Sequence, residues 1–187
     1  VNVLDIGCGD GRFLNKLNAQ YNTLRSIGID ISLRQLKFNR GTNPFGNLYC
    51  LSDAEVLPFK DSCFDYIFCF DVLEHLPNPN TCIKEISRVL KPQGKVLVYT
   101  LNQKDKYTWH WFLRKVSFGE FGVDIGHYGD HDKKYFPNSL ELIKECNIVR
   151  LKVDKVIYFH AFFTLMFDEL YSHILNTIYS NLLKAEA

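Results

Sequence analysis

The residues with the most chemical potential stand at the start of the chain. In "VNVLDIGCGDGRF", residues 1–13, an apolar run carries one carboxylate, Asp5, and then turns through glycines at 7, 9 and 11. Glycines so placed let the backbone turn sharply and let a ligand approach it, while a following helix offers N–H groups to a carboxylate or phosphate. A dinucleotide fingerprint needs its third glycine at position 12, where Arg12 stands, and this argues against a nicotinamide cofactor. Asp5 is ionisable at a position that packing alone would make apolar, so it needs a partner. Asp30, in "SIGID", ends a second apolar run one strand-helix-strand unit later; it could accept from two ribose hydroxyls or cap the next helix. Asp53, in "LSDAEVLPFKDSCFD", could accept from an adenine amino group beside the backbone N–H of Ala54, or simply close a turn.

The elements that must position these residues alternate. Strand patterns cover 2–6, 24–30, 47–51, 64–70 and 95–101, and helical patterns cover 12–20, 32–39 and 81–90, the last closed by Lys91, Pro92 and Gly94. Such alternation implies an α/β fold, a doubly wound, mostly parallel sheet with helices on both faces. A helix over 136–145 has Pro137 in its first turn, and strands over 148–153 and 156–163 bring the expected count to seven. Residues 104–129, with Trp109 and Trp111, are too long for an ordinary connection and read as a lid or substrate loop. From residue 164 onward Phe167, Leu170, Tyr171, Ile174, Leu175 and Ile178 share one face of an amphipathic helix, and Asp168, Glu169 and His173 rule out a membrane span there.

Bulk properties narrow the class. The 187 residues suit one domain, 1–187, and 47% hydrophobic with 23% charged residues describes a soluble globular protein. A formal net charge of +1 leaves no footprint for nucleic acid. Cysteines at 8, 50, 63, 69, 82 and 146 form no C-x-x-C pair, so we expect reduced thiols and no bound metal. No secretory leader is recognisable, and the expected location is cytoplasmic. Because Val1 already belongs to a strand pattern, it reads as a cut end.

In combination, "VLDIGCGDGRF", the acidic end of "GID", "DAEVLPFKDSCFD", "DVLEHLPNP" and "LKPQGKVLV" resemble the class I S-adenosylmethionine-dependent methyltransferases, most closely the ubiquinone and menaquinone biosynthesis group. The resemblance runs over residues 1–101 and makes this the cofactor-binding half, with 102–163 as lid and substrate-side half and 164–187 as a C-terminal helix. It implies a Rossmann-like sheet with its last strand antiparallel, and a helical segment ahead of the first strand that is missing here. The implied cofactor is S-adenosyl-L-methionine, with S-adenosyl-L-homocysteine as product. Carried over by position, Asp5, Gly7, Cys8 and Gly9 surround its methionine portion, Asp30 holds the ribose, Ile31 flanks the adenine, and Asp53 with Ala54 binds the adenine edge. Phe70 and Asp71 line the cofactor near the sulfonium, and His75 lies on the next turn.

A sulfonium methyl is already electrophilic, so orientation and exclusion of water do most of the catalysis and a general base is optional. Candidate bases are Asp71, His75 and, in "IGHYGDHDKKYF", His127 and His131; each is otherwise an ordinary polar or packing residue. The aromatics of the lid and the tail suit an apolar or lipid-linked small-molecule acceptor, or else fill a core. Arg114 and Lys115 allow peripheral membrane contact, or else form a solvated basic edge. "FDVLEH" lacks the motif that holds a flipped base in DNA amino-methylators. A non-catalytic S-adenosylmethionine-binding module acting through a partner is the alternative reading.

Overall fold

The structure is a computed structural model that describes residues 1–21, 23–41, 43–100 and 137–158. The chain divides into two compact units, Val1–Lys104 with Ile125–Asp154, and Asp105–Asp124 with Lys155–Ala187. All the elements below belong to the first.

In chain order they are β1 (Asn2–Ile6), α1 (Arg12–Gln20), β2 (Arg25–Asp30), α2 (Leu33–Gly41), β3 (Leu48–Leu51), β4 (Phe64–Phe70), a 3-10 turn (Leu73–His75), α3 (Pro79–Val89), β5 (Leu90–Tyr99) and α4 (Ser139–Ile148). The strands form one sheet in the order β3-β2-β1-β4-β5, and every pairing is parallel. β1 is central and buried on both faces, which explains its apolar run and makes Asp5 the exception within it. Alternate residues of β4 serve the two faces: Ile67 and Cys69 pack in a core with Cys82, Ile83, Ile86 and Val89 of α3, while Phe68 meets Phe13 of α1, ring centroids 4.8 Å apart. The sheet is therefore covered on both sides. Leu4, Ile6, Ile67 and Leu73 are fully enclosed, each worth roughly 1.5–3 kcal/mol of burial.

Several boundaries differ from expectation. Pro79 starts α3 two residues early, at a position where its missing N–H costs nothing. β5 begins at Leu90 instead of 95 because Leu90 already pairs with Phe64; Lys91, Pro92, Gln93 and Gly94 then stand opposite Asp65 alone. Gln93 turns this irregularity at φ 67°, and Lys91 clamps Asp65 at 2.9 Å. The helix expected over 136–145 runs later, with Pro137 outside it and Asn138 as its cap, accepting from the Leu140 N–H at 3.1 Å.

Among the described residues the sheet has five strands, not seven. The strand expected over 148–153 does not form: α4 runs to Ile148, Arg150 reverses the chain at φ 62°, and residues 151–158 are neither helix nor strand. The Leu151 N–H donates to the Cys146 carbonyl at 2.8 Å and the Arg150 N–H to that of Asn147 at 3.1 Å, a helix-closing pair that consumes the donors a strand would need. Residues 159–163 of the last expected strand, the lid residues 101–136 with Trp109, Trp111, His127 and His131, and the tail helix over 164–187 lie outside the described residues. No helix among the described residues is long and apolar enough to cross a membrane.

Candidate functional site

Strand order reverses between β1 and β4, and the carboxyl ends of the strands at such a switch point are the usual ligand position in these sheets. The turn after β1 lies there. The Gly7 and Cys8 N–H groups both donate to the Ile29 carbonyl of β2, at 2.8 and 2.9 Å, which fastens the turn to the neighbouring strand. Gly7 has φ +71°, and a Cβ on it would collide with Val72 beyond β4. That contact brings the Phe70–Val72 segment against the glycine turn. Gly9, at φ +50°, has nothing within 4 Å of where a Cβ would be among the described residues, which leave its outer side open.

Asp5 is only 2% exposed, and its Oδ2 has no hydrogen-bond partner among the described residues. Burial, then repulsion from Asp30, pushes its carboxyl up to about 8. A buried carboxylate without a counter-charge is costly, and a cationic ligand group resolves that cost. Burial, then repulsion from Asp5 and Asp30, holds the Cys8 thiol well above its ordinary range, which keeps it protonated.

Asp30 ends β2 and holds backbone with both oxygens. Oδ2 accepts from the Gly9 N–H at 2.9 Å and Oδ1 from the Ser32 N–H at 2.7 Å. Asp30 therefore closes a turn ahead of α2 and does not cap it: the cap is Ser32, whose Oγ accepts from the Gln35 N–H at 3.4 Å, and each carboxylate oxygen of Asp30 keeps a second lone pair. Ile31 beside it is 75% exposed, an apolar side chain left in the open. The Ser52 N–H donates to the Asp30 carbonyl at 3.1 Å and so brings the Asp53 turn alongside. Asp53 accepts from the Glu55 N–H at 2.9 Å, and Ala54 is buried.

On the other flank Asp71 has left-handed backbone, φ 52°, uncommon for a residue with a side chain, and its N–H is held by the Tyr99 carbonyl at 3.0 Å. Asp71 and His75 are exposed. The structure thus gathers Asp5, Gly7, Cys8, Gly9 and Asp30, sets Asp53 and Phe70–Asp71 beside them, and shows His75 on the turn beyond; His127 lies outside the described residues. Two residues escaped sequence reasoning. Glu74, 1% exposed, accepts from the Thr100 hydroxyl at 2.8 Å and ties the turn after β4 to the end of β5. Asn39 on α2 donates to the Gly9 carbonyl at 2.7 Å. The signal for Asn39 was available: three residues after the buried Leu36, it is a polar residue on a core-facing stripe.

An orphaned buried carboxylate, an open glycine turn and an exposed apolar residue next to a strand-end acid fit an amino-acid ammonium joined to a nucleoside. Comparison with known proteins agrees. Residues 4–98 match the methyltransferase domain family, and the chain belongs to it: it is a class I S-adenosylmethionine-dependent methyltransferase, with S-adenosylmethionine as cofactor. Among its relatives, a ubiquinone biosynthesis O-methyltransferase of Coxiella burnetii is 29% identical over 161 residues, covering 84% of this chain and 67% of that one. An uncharacterized protein of Methanocaldococcus jannaschii is 30% identical over 155 residues, covering 83% and 68%. Among solved structures the cyclase SpnF superposes with a TM-score of 0.61 at 22% identity, over 80% of this chain and 51% of that one, a likeness of fold. The chain thus spans about two thirds of these curated relatives and about half of that structure.

Proposed function

We propose that the chain methylates a small-molecule or lipid-linked acceptor at oxygen, with the carboxyl ends of β1, β2 and β4 as the cofactor site. The observation that carries the site is Asp5, whose buried Oδ2 has no partner among the described residues, beside a glycine turn over which those residues leave Gly9 open. When bound, S-adenosylmethionine supplies an electrophilic sulfonium methyl for in-line displacement by the acceptor. Asp5, with Gly7, Cys8 and Gly9, holds the amino-acid portion, the ionised carboxylate pairing with the ammonium group. Asp30 accepts from the ribose hydroxyls with the lone pairs its backbone contacts leave unused. Ile31 covers the adenine face, and Asp53 with Ala54 reads its edge. Phe70 and Asp71 line the reacting end and orient the acceptor. For a hydroxyl acceptor Asp71 or His75 takes the proton.

Oxygen is favoured by the O-methyltransferase relatives, and an apolar or lipid-linked small-molecule acceptor by the aromatic residues 109–128. Calorimetry with S-adenosylhomocysteine and with NAD tests the cofactor site: micromolar binding of the first and none of the second is expected, and the reverse would overturn the reading. Turnover on catechols, quinols and lipid extracts tests the acceptor, and methylation confined to amines or thiols would refute the oxygen assignment.

A further inference from the structure

Gly9 is the residue of the turn that most needs external support. At φ +50° with nothing among the described residues near a would-be Cβ, it is not confined sterically by them, and glycine visits several backbone regions at little cost. Its two torsions are fixed only if the peptide planes on both sides are held. Asp30 holds one, accepting from the Gly9 N–H at 2.9 Å. The other is held from α2, where the Asn39 Nδ2 donates to the Gly9 carbonyl at 2.7 Å.

We infer that Asn39 is a positioning residue for the cofactor, acting through the Gly9 carbonyl to keep the turn in the shape that receives the amino-acid portion. The inference rests on the cofactor reading above. Asn39 is 1% exposed, so water does not replace its donor, and its Oδ1 has no partner among the described residues. A buried amide that leaves its acceptor unsatisfied is an expensive way to pack a helix. The reversed amide would set Oδ1 against the Gly9 carbonyl oxygen, so the donor orientation follows from the contact itself. Together Asp30 and Asn39 grip Gly9 from the end of β2 and from the helix that follows it, and the open side of the turn stays clear for a ligand.

Asn39→Leu keeps the shape and removes both the donor and the unsatisfied oxygen; Asn39→Ala removes the side chain. Each is titrated calorimetrically with S-adenosylhomocysteine and with 5′-methylthioadenosine, which has the nucleoside but lacks the amino-acid portion. Affinity for S-adenosylhomocysteine should fall about tenfold in both variants, the scale of one lost buried hydrogen bond. Affinity for methylthioadenosine should change less than about threefold, because the Gly9 turn faces the missing portion. Urea unfolding of the unliganded Asn39→Leu protein should occur no earlier than in the wild type. Equal losses for both ligands, no loss for either, or failure of both variants to fold would each overturn the assignment and leave Asn39 a packing residue. A wild-type protein that binds neither ligand would instead overturn the cofactor reading, and the inference with it.

Discussion

At Asp5 the burial that readies a carboxylate for a cationic ligand works against the unliganded protein. Its folded-state pKa, about 8, lies above the ordinary 3.8, so between these values the folded chain keeps a proton that the unfolded chain gives up. The stability due to neutral Asp5 is complete below about pH 4 and is lost progressively as pH rises through about 8. Asp5→Asn removes this dependence. We expect the variant to match the wild type near pH 4 and to exceed its unfolding free energy by on the order of 6 kcal/mol near pH 9, measured by urea denaturation. The same variant should bind S-adenosylhomocysteine at least about tenfold more weakly, since an amide offers no charge to an ammonium group. Equal pH profiles for the two proteins would show that Asp5 is not the group described. Asp30 differs because its oxygens already hold the backbone N–H groups of Gly9 in the turn and of Ser32 just ahead of α2. Asp30→Ala should therefore weaken cofactor binding by about 1–3 kcal/mol in calorimetry, and unchanged affinity would remove Asp30 from the site.

Elements are held in place by a few specific contacts. Arg88 on α3 grips Glu85 with two bonds of 2.7 Å and reaches the Leu57 and Phe59 carbonyls at 3.0 and 2.7 Å, while Glu85 accepts from the Leu57 N–H at 2.8 Å. This fastens the segment after Asp53 to a helix on the sheet. Lysine keeps the charge without the planar fork, so Arg88→Lys should cost about 1–2 kcal/mol in urea unfolding, and a neutral result would deny the brace any role in stability. At the end of α4, Arg150 occupies the left-handed closing position usually given to glycine. Arg150→Gly should raise the unfolding free energy by about 0.5–1 kcal/mol, and a loss would mean the arginine side chain contributes more than its backbone costs. This position also shows where sequence reading stops. Ile148, Val149, Arg150, Leu151, Lys152 and Val153 alternate like a strand, and an arginine gives no warning of left-handed closure. β1, β2 and β4 were legible to within a residue because their apolar runs are imposed by burial in a parallel sheet. The acids and glycines of the site were legible for a related reason: each violates what packing would choose. Asn39 carried a signal as a polar residue on a core-facing stripe, but its partner Gly9, like the Thr100 partner of Glu74, is distant in sequence and only the fold brings each pair together.

Across the whole unit, the glycine turn hangs on β2 through Ile29, the Asp53 turn on β2 through Asp30, and Asp71 on β5 through Tyr99. A ligand at this crevice therefore touches segments anchored on several strands, and an unfolded chain offers it nothing comparable. Binding should stabilise the unit as a whole by mass action. At a free S-adenosylhomocysteine concentration of 100 times its dissociation constant, the unfolding free energy should rise by about 2.7 kcal/mol, whereas NAD should leave it unchanged. On the proposed pairing, the gain at fixed ligand must also depend on pH, because an ammonium group would bind the ionised form of Asp5 and expel its proton. Below about pH 8 each unit of falling pH should weaken binding up to tenfold, so the ligand-induced rise in the urea midpoint should shrink from about pH 8.5 to about pH 6. In Asp5→Asn the rise, already small, should no longer change with pH. A wild-type ligand shift that is equally large at both pH values would mean that the ligand meets Asp5 already ionised, or does not meet it, and would move the ammonium site elsewhere in the crevice.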